Sequence, residues 1–262
     1  MLICIILVTL AYTASSIAVN YNTNHILEYV KRNNYPIEVH NLNTSDGYEL
    51  NIHRIPHGLD NNSSSGNRSV ILLVHGLQES AEHWMINGNK SLAFLLANLG
   101  YDVWMANARG TYHSRGHTRY DTSNPEYWDF SWHEIGLYDH PATIDYILSK
   151  TGVSKLSYIG HSQGYFRQYE YQGIENVLRY GRLDPPTYDL DKVTAKIALY
   201  YSQNDWLAQP QDVRRLRDEL PNVVVDHLVI YEGFNHWDFL FAKDVVELLY
   251  NNVIEALSKY NE

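Results

Sequence analysis

The chain has 262 residues, 45% of them hydrophobic, with a formal net charge of −10 and a single cysteine. Such a length and composition support one large domain with a substantial core and exclude a largely disordered chain. The acidic balance, with no basic cluster, removes nucleic acid from the expected partners, and one cysteine cannot build a disulfide framework.

Residues 1–18, MLICIILVTLAYTASSIA, carry no charge and pass from an apolar run into small residues. Ser16 and Ala18 suit the positions before a cleavage site, so a secretory signal peptide cut after Ala18 is expected. The run is shorter than the roughly 20 apolar residues needed to cross a bilayer, so no transmembrane segment is expected in the mature chain. The only cysteine, Cys4, lies inside this segment. Residues 19–262 are read as one domain. Asn43, Asn61, Asn62, Asn67 and Asn89 head Asn-x-Ser/Thr triplets and are candidate glycosylation sites. Three of them fall in the polar stretch Asp60 to Arg68, which reads as an exposed loop.

Helical spacing of Ile26, Leu27 and Val30 predicts a helix over Asn24 to Asn34. A hairpin follows, Ile37 to Leu42 and Tyr48 to Ile55, about a turn at Asp46-Gly47. Val70 to Val74 is a continuous apolar run ending in His75-Gly76, the pattern of a strand buried on both faces. Next come a helix from Leu92 to Leu99, a strand from Asp102 to Ala106, a helix from Trp132 to Leu148 and a strand from Leu156 to Ile159. Further strands are expected at Ala195 to Tyr201 and Val223 to Tyr231, with helices at Gln211 to Glu219 and His236 to Lys259. Alternation of strands and helices implies right-handed crossovers and a mostly parallel sheet, so the fold class is α/β.

Gly160-His161-Ser162-Gln163-Gly164 directly follows the strand Leu156 to Ile159. A nucleophile elbow turns sharply from strand to helix, so it needs small residues two positions either side of the serine. The pentapeptide alone arises by chance in about one chain of this length in ten. Its place at the end of an apolar strand removes most of that background. A serine hydroxyl needs a base, and the base needs a carboxylate to orient it. Asp205 follows the strand Ala195 to Tyr201, and His236 follows the strand ending near Tyr231, where catalytic groups collect in open α/β sheets. Asp212 and Asp218 fall in a helix, Asp226 inside a strand, and Asp238 too close to His236, so Asp205 is preferred.

For the oxyanion, the expected donors are the amides of Gln163 and of Leu77, the latter in His75-Gly76-Leu77. Asn107 to Gly110 is read as a packed turn held by Arg109, and the aromatic run Tyr127 to Trp132 as core. No His/Cys/Asp cluster has metal-ligand spacing and no glycine-rich phosphate loop is present.

Taken together, Asn41 to Ile55, Leu73 to Ser80, Asn89 to Ala93, Asn107 to Gly110, Trp128 to Tyr146, Gly160 to Gly164, Phe166 to Tyr180 and Tyr200 to Phe239 resemble the acid lipases, the gastric and lysosomal enzymes and their insect relatives. The resemblance implies an α/β-hydrolase fold, a triad of Ser162, Asp205 and His236, oxyanion donors Leu77 and Gln163, and hydrolysis of triacylglycerols or cholesteryl esters. It implies a lipid ester as partner and neither metal nor organic cofactor, while the signal peptide directs the chain to the secretory pathway, extracellular or lysosomal.

One departure from the family stands out. There, a helix, a sheet strand and a large cap separate the elbow from the segment resembling Phe166 to Tyr180. Here only 43 positions separate Ser162 from Asp205 by subtraction. A helix of about 12 residues, a strand of about 5 and their repeats barely fit that length. The missing strand belongs between those that carry Ser162 and Asp205, and two outcomes are expected for a chain without the cap: Tyr165 to Tyr180 serves as a substitute helix behind the elbow in a narrower sheet, or the sheet is disrupted and Asp205 and His236 no longer reach Ser162. A short-chain esterase with an open site and a catalytically impaired secreted lipase-like protein are the alternatives this leaves.

Overall fold

The computed structural model describes residues 2–4, 24–60, 68–162 and 167–260. Nine strands form one sheet among them: β1 (Leu2–Cys4), β2 (Glu38–Asn43), β3 (Tyr48–Ile55), β4 (Val70–Val74), β5 (Asp102–Met105), β6 (Gly116–His117), β7 (Ser157–Gly160), β8 (Ile197–Ser202) and β9 (Val223–Val229). Their spatial order is β2-β3-β5-β4-β7-β1-β8-β9, with β6 on β3. The hairpin β2–β3 and its junction with β5 are antiparallel, and every other pairing from β5 to β9 is parallel.

The parallel strands are buried because both their faces are covered. On β4, Ile71 and Leu73 join one core while Val70, Leu72 and Val74 join the other, the two-residue alternation of a pleated strand. All five are essentially inaccessible, and each such side chain contributes about 1.5–3 kcal/mol by leaving water. The first core is roofed by α1 (Asn24–Arg32) through Ile26 and Val30, by α2 (Leu92–Asn98), and by α8 (Asn251–Tyr260) through Val253 and Leu257. The second is closed by Ile147 of α4 (His140–Thr151) and by Tyr127. Beyond β8, a smaller core of Ile197, Leu199 and Tyr201 packs on Val213 and Leu216 of α6 (Pro210–Glu219).

The position between β7 and β8 is not empty. Leu2–Cys4 pairs in parallel with Tyr158, Ile159 and Gly160 on one side and with Ile197 and Ala198 on the other. So three residues of the segment read as a signal peptide take the place expected for the missing strand. The rest of residues 1–18 lies outside the described residues.

Several expected elements change shape. The helix from Trp132 is opened by a capping box, in which Ser131 Oγ accepts from the His133 amide and Glu134 Oε2 from the Ser131 amide. It then runs through a π turn at Ile135–Asp139 before α4, a wider turn that leaves Asp139 buried beneath Arg109. Arg109 Nη2 and Nε reach Asp139 Oδ1 at 2.7 and 2.8 Å, its Nη1 reaches Asp46 at 2.6 Å, and its guanidinium lies 3.8 Å over the Tyr48 ring. The turn Asn107 to Gly110 is thus held by Arg109, as its sequence implies. The aromatic run is only partly core, since Tyr127 is fully buried while Trp128 is 44% exposed.

Instead of one helix from His236 to Lys259, the chain forms α7 (Asp238–Phe241), leaves helical geometry at Ala242, and resumes through a π turn at Val246–Tyr250 into α8. Both halves bury apolar residues in the same core, so the apolar pattern runs on across the break. Within the substitute-helix region, the helix is α5 (Ile174–Tyr180), while residues 163–166 lie outside the described residues. Ile174 and Leu178 are 72% and 73% exposed, so α5 lacks a buried apolar face and does not replace a packed helix behind the elbow.

Candidate active site

Ser162 follows β7 with φ +69°, a left-handed conformation that costs a non-glycine residue free energy and is held by its surroundings. The preceding amide, of His161, donates to the Val74 carbonyl at 3.0 Å and so ties the elbow to the end of β4. Across from it lies Gly76. A Cβ built there would fall 2.3 Å from Ser162 Cβ and 2.7 Å from its Oγ, so only glycine admits the serine so close to this loop.

The Gly76 peptide is anchored at both ends. Its N–H donates to Glu79 Oε2 at 2.8 Å. Its carbonyl lies 2.7 Å from His75 Nδ1. His75 Nε2 accepts the Ala108 amide at 3.0 Å, which puts the single ring proton on Nδ1, facing that carbonyl. Burial also holds His75 below the usual histidine range, in keeping with a neutral ring. Leu77, the next residue, keeps an exposed side chain and borders, with Gly76, Arg109, Tyr112, Trp128 and Phe130, an open cleft of about 850 Å³.

On the other side of the sheet's carboxyl edge, Asp205 follows β8 and His236 follows β9. Both are buried, and His236 Nδ1 stands 3.0 Å from Asp205 Oδ2. Asp205 Oδ1 accepts the amides of Leu207 and Ala208, both at 2.9 Å, which fixes the orientation of the carboxyl group. His236 Nε2 is buried and has no hydrogen-bond partner among the described residues. Its Nδ1 is therefore committed to Asp205 and its Nε2 is left open, the arrangement required of a base awaiting a proton.

The structure thus brings Asp205 and His236 into contact and sets Ser162 against Gly76, without a hydrogen bond between Ser162 and His236. Gln163 lies outside the described residues, as do Asn61, Asn62 and Asn67, while Asn43 and Asn89 are exposed. The rival carboxylates serve elsewhere: Asp218 and Asp226 pair with Arg217, and Asp238 Oδ2 accepts the Asn235 amide. Two buried groups at this site, Glu79 and His161, were not singled out by the sequence. Glu79 is one polar residue in a turn and His161 an unconstrained position of the pentapeptide, and nothing local marks them as a pair.

Comparison with known proteins follows the same lines. Residues 26–88 match a family model described as a partial alpha/beta-hydrolase lipase region, and residues 69–164 match the alpha/beta hydrolase fold. A gastric triacylglycerol lipase of Rattus norvegicus is 27% identical over 369 aligned residues, covering 92% of each chain. Those aligned positions exceed the 262 residues of this chain by 107, so the relative has a large stretch with no counterpart here. A lysosomal acid lipase/cholesteryl ester hydrolase of Macaca fascicularis is 43% identical over 169 residues, 63% of this chain and 42% of that one. Among solved structures, the Pyrococcus furiosus esterase Pf2001 superimposes with a TM-score of 0.60 at 16% identity, over 88% of this chain and 93% of that chain.

Proposed function

The chain is an α/β hydrolase related to the acid lipases, and on that premise we propose that it cleaves lipid esters with Ser162 as nucleophile, His236 as general base and Asp205 as orienting carboxylate. The observation that carries this reading is the 3.0 Å Asp205–His236 contact, with the buried Nε2 of His236 left without a partner among the described residues.

In the reaction Ser162 Oγ attacks the acyl carbon while its proton passes to His236 Nε2. The tetrahedral oxyanion accepts hydrogen bonds from the amides of Leu77 and Gln163. Collapse breaks the ester C–O bond, and the leaving alcohol takes the proton from His236. Water then attacks the acyl-enzyme with His236 again as base, releasing a carboxylic acid. Asp205 orients the imidazole through Oδ2, while two backbone amides hold its other oxygen in place.

The rat and macaque relatives point to triacylglycerol or cholesteryl esters as substrate. A second reading, an esterase of short acyl groups, is favoured by the exposure of Trp206 and Trp237, which flank Asp205 and His236 in sequence and leave apolar surface bare beside the pair. The same surface suits a lipid–water interface. Entry to the secretory pathway through residues 1–18, with glycans at the exposed Asn43 and Asn89, belongs to this proposal.

Hydrolysis of p-nitrophenyl butyrate and palmitate by the purified chain and by Ser162→Ala tests the assignment. Activity that disappears with the substitution is expected, and preference for the palmitate separates the lipase from the short-chain esterase. A folded chain with no Ser162-dependent turnover sinks the catalytic reading.

A further inference from the structure

We infer that Glu79 and His161 form a buried positioning couple that locks the Gly76 loop, the nucleophile elbow and the His236 loop into one relation; the inference rests on the catalytic reading of Ser162 and His236. Both side chains are 1% exposed, and neither enters the reaction steps above.

The couple is built from four contacts. Glu79 Oε2 accepts the Gly76 amide at 2.8 Å, and Oε1 lies 2.9 Å from His161 Nδ1. His161 Nε2 lies 3.2 Å from the carbonyl oxygen of His236. The two imidazole rings are stacked, with centroids 4.6 Å apart and planes 22° from parallel. Trp84 and Phe239 close the remaining sides of the His161 ring.

Elementary hydrogen-bond chemistry fixes where the protons are. A carbonyl oxygen only accepts, so His161 Nε2 carries a proton and donates it to the His236 backbone. A second proton lies between Nδ1 and Glu79. Burial by itself raises the Glu79 carboxyl, but the bonds from His161 and Gly76 bring it below the usual carboxylate value. The result is a chain of polar contacts from the Gly76 amide to the His236 carbonyl through two side chains 82 residues apart in sequence.

That chain adjoins the reacting groups at both ends and in its middle. Gly76 precedes Leu77, the proposed oxyanion donor. His161 precedes Ser162, and the carbonyl it holds belongs to the general base itself. A buried polar couple adds little net stability over apolar residues of the same volume, so the gain from this one is geometric. Such precision matters, because a displacement of about 1 Å at a reacting centre can cost about a hundred-fold in rate.

The test compares Glu79→Ala and Glu79→Gln in the full chain, by kcat and KM on p-nitrophenyl butyrate with thermal unfolding as a check of folding. Glutamine keeps the frame, its oxygen accepting from Gly76 and its amide donating to a neutral His161 Nδ1 while Nε2 stays protonated. The expected result is a kcat lowered at least ~10-fold in Glu79→Ala, KM within ~2-fold, and Glu79→Gln within ~3-fold of the parent. A folded Glu79→Ala with parental kcat overturns the inference, as does a loss confined to KM or a glutamine variant as impaired as the alanine one. Failure of the catalytic reading shows itself separately, as an unsubstituted chain with no turnover. In that case imidazole ¹⁵N signals, compared between Ser162→Ala and Ser162→Ala/Glu79→Ala, still read the couple. A His161 signal that moves on loss of Glu79 supports it, and an unmoved signal overturns it.

Discussion

Acidification from pH 7 to pH 5 is expected to destabilise the fold through one histidine, His53. It sits in β3 with 2% of its surface accessible, its Nδ1 has no hydrogen-bond partner among the described residues, and its ring meets His113 edge-on at 4.9 Å. Burial pushes its pKa down to about 3, His113 adds to the shift and Glu82 opposes it. In the unfolded chain the group returns to 6.5, so between these values the unfolded state binds a proton that the folded state refuses. Stability from this group is therefore complete above about pH 7 and falls as the pH drops towards 3. At pH 5 the gap to the unfolded value is 1.5 pH units, or about 2 kcal/mol at 1.36 kcal/mol per unit. That is a sizeable part of the 5–15 kcal/mol typical of a whole domain. Urea unfolding followed by tryptophan fluorescence at pH 7 and pH 5, for the parent and His53→Phe, isolates the term. Other titrating groups act equally on both chains, so the parent should lose about 2 kcal/mol more than the variant. Parallel pH dependences for the two chains would refute the argument.

Two further outcomes follow from the fold. Arg109→Met strips the buried Asp139 carboxylate of its side-chain partner and frees Asp46, so unfolding should come about 3–5 kcal/mol sooner; adding Asp139→Asn should recover part of that loss in the same urea titration. A chain beginning at Val19 lacks the five register pairs that Leu2–Cys4 makes with β7 and β8, and with each lost ladder hydrogen bond costing about 1 kcal/mol it should be less stable by a few kcal/mol. Equal stability of the two chains would mean that β7 and β8 do not need an intervening strand.

What could be read from the sequence was whatever has a local signature. Val70–Val74 was legible to the residue because a strand buried on both faces is an unbroken apolar run with a turn after it. The positions of Asp205 and His236 were legible as polar residues in the loops that follow β8 and β9. The break at Ala242 was hidden because α7 and the segment beyond it bury Phe239, Leu240, Val245 and Leu249 in one core, and periodicity records burial rather than continuity. The π turn above Asp139 was hidden likewise, since one wide turn barely disturbs helical spacing. Glu79 and His161 are the extreme case. Their contact spans 82 residues, and each alone has an ordinary explanation in its own surroundings.

The amino terminus shows why one pattern can carry two structures. An uncharged apolar run satisfies a translocation signal, and it equally satisfies a parallel strand buried on both faces. In this fold Leu2–Cys4 occupies the gap between the strand bearing Ser162 and the strand bearing Asp205. The two roles exclude each other within one molecule, for a leader removed after Ala18 takes the strand with it. Loss of that strand would bare facing ladder edges on β7 and β8, whose inward residues Ile159, Ile197 and Ala198 are all buried. The separation of Ser162 from the Asp205–His236 pair depends on what fills this gap. Retention or loss of eighteen residues, far from the reacting groups in sequence, thus bears directly on whether the hydroxyl of Ser162 and Nε2 of His236 come within reach of a proton transfer.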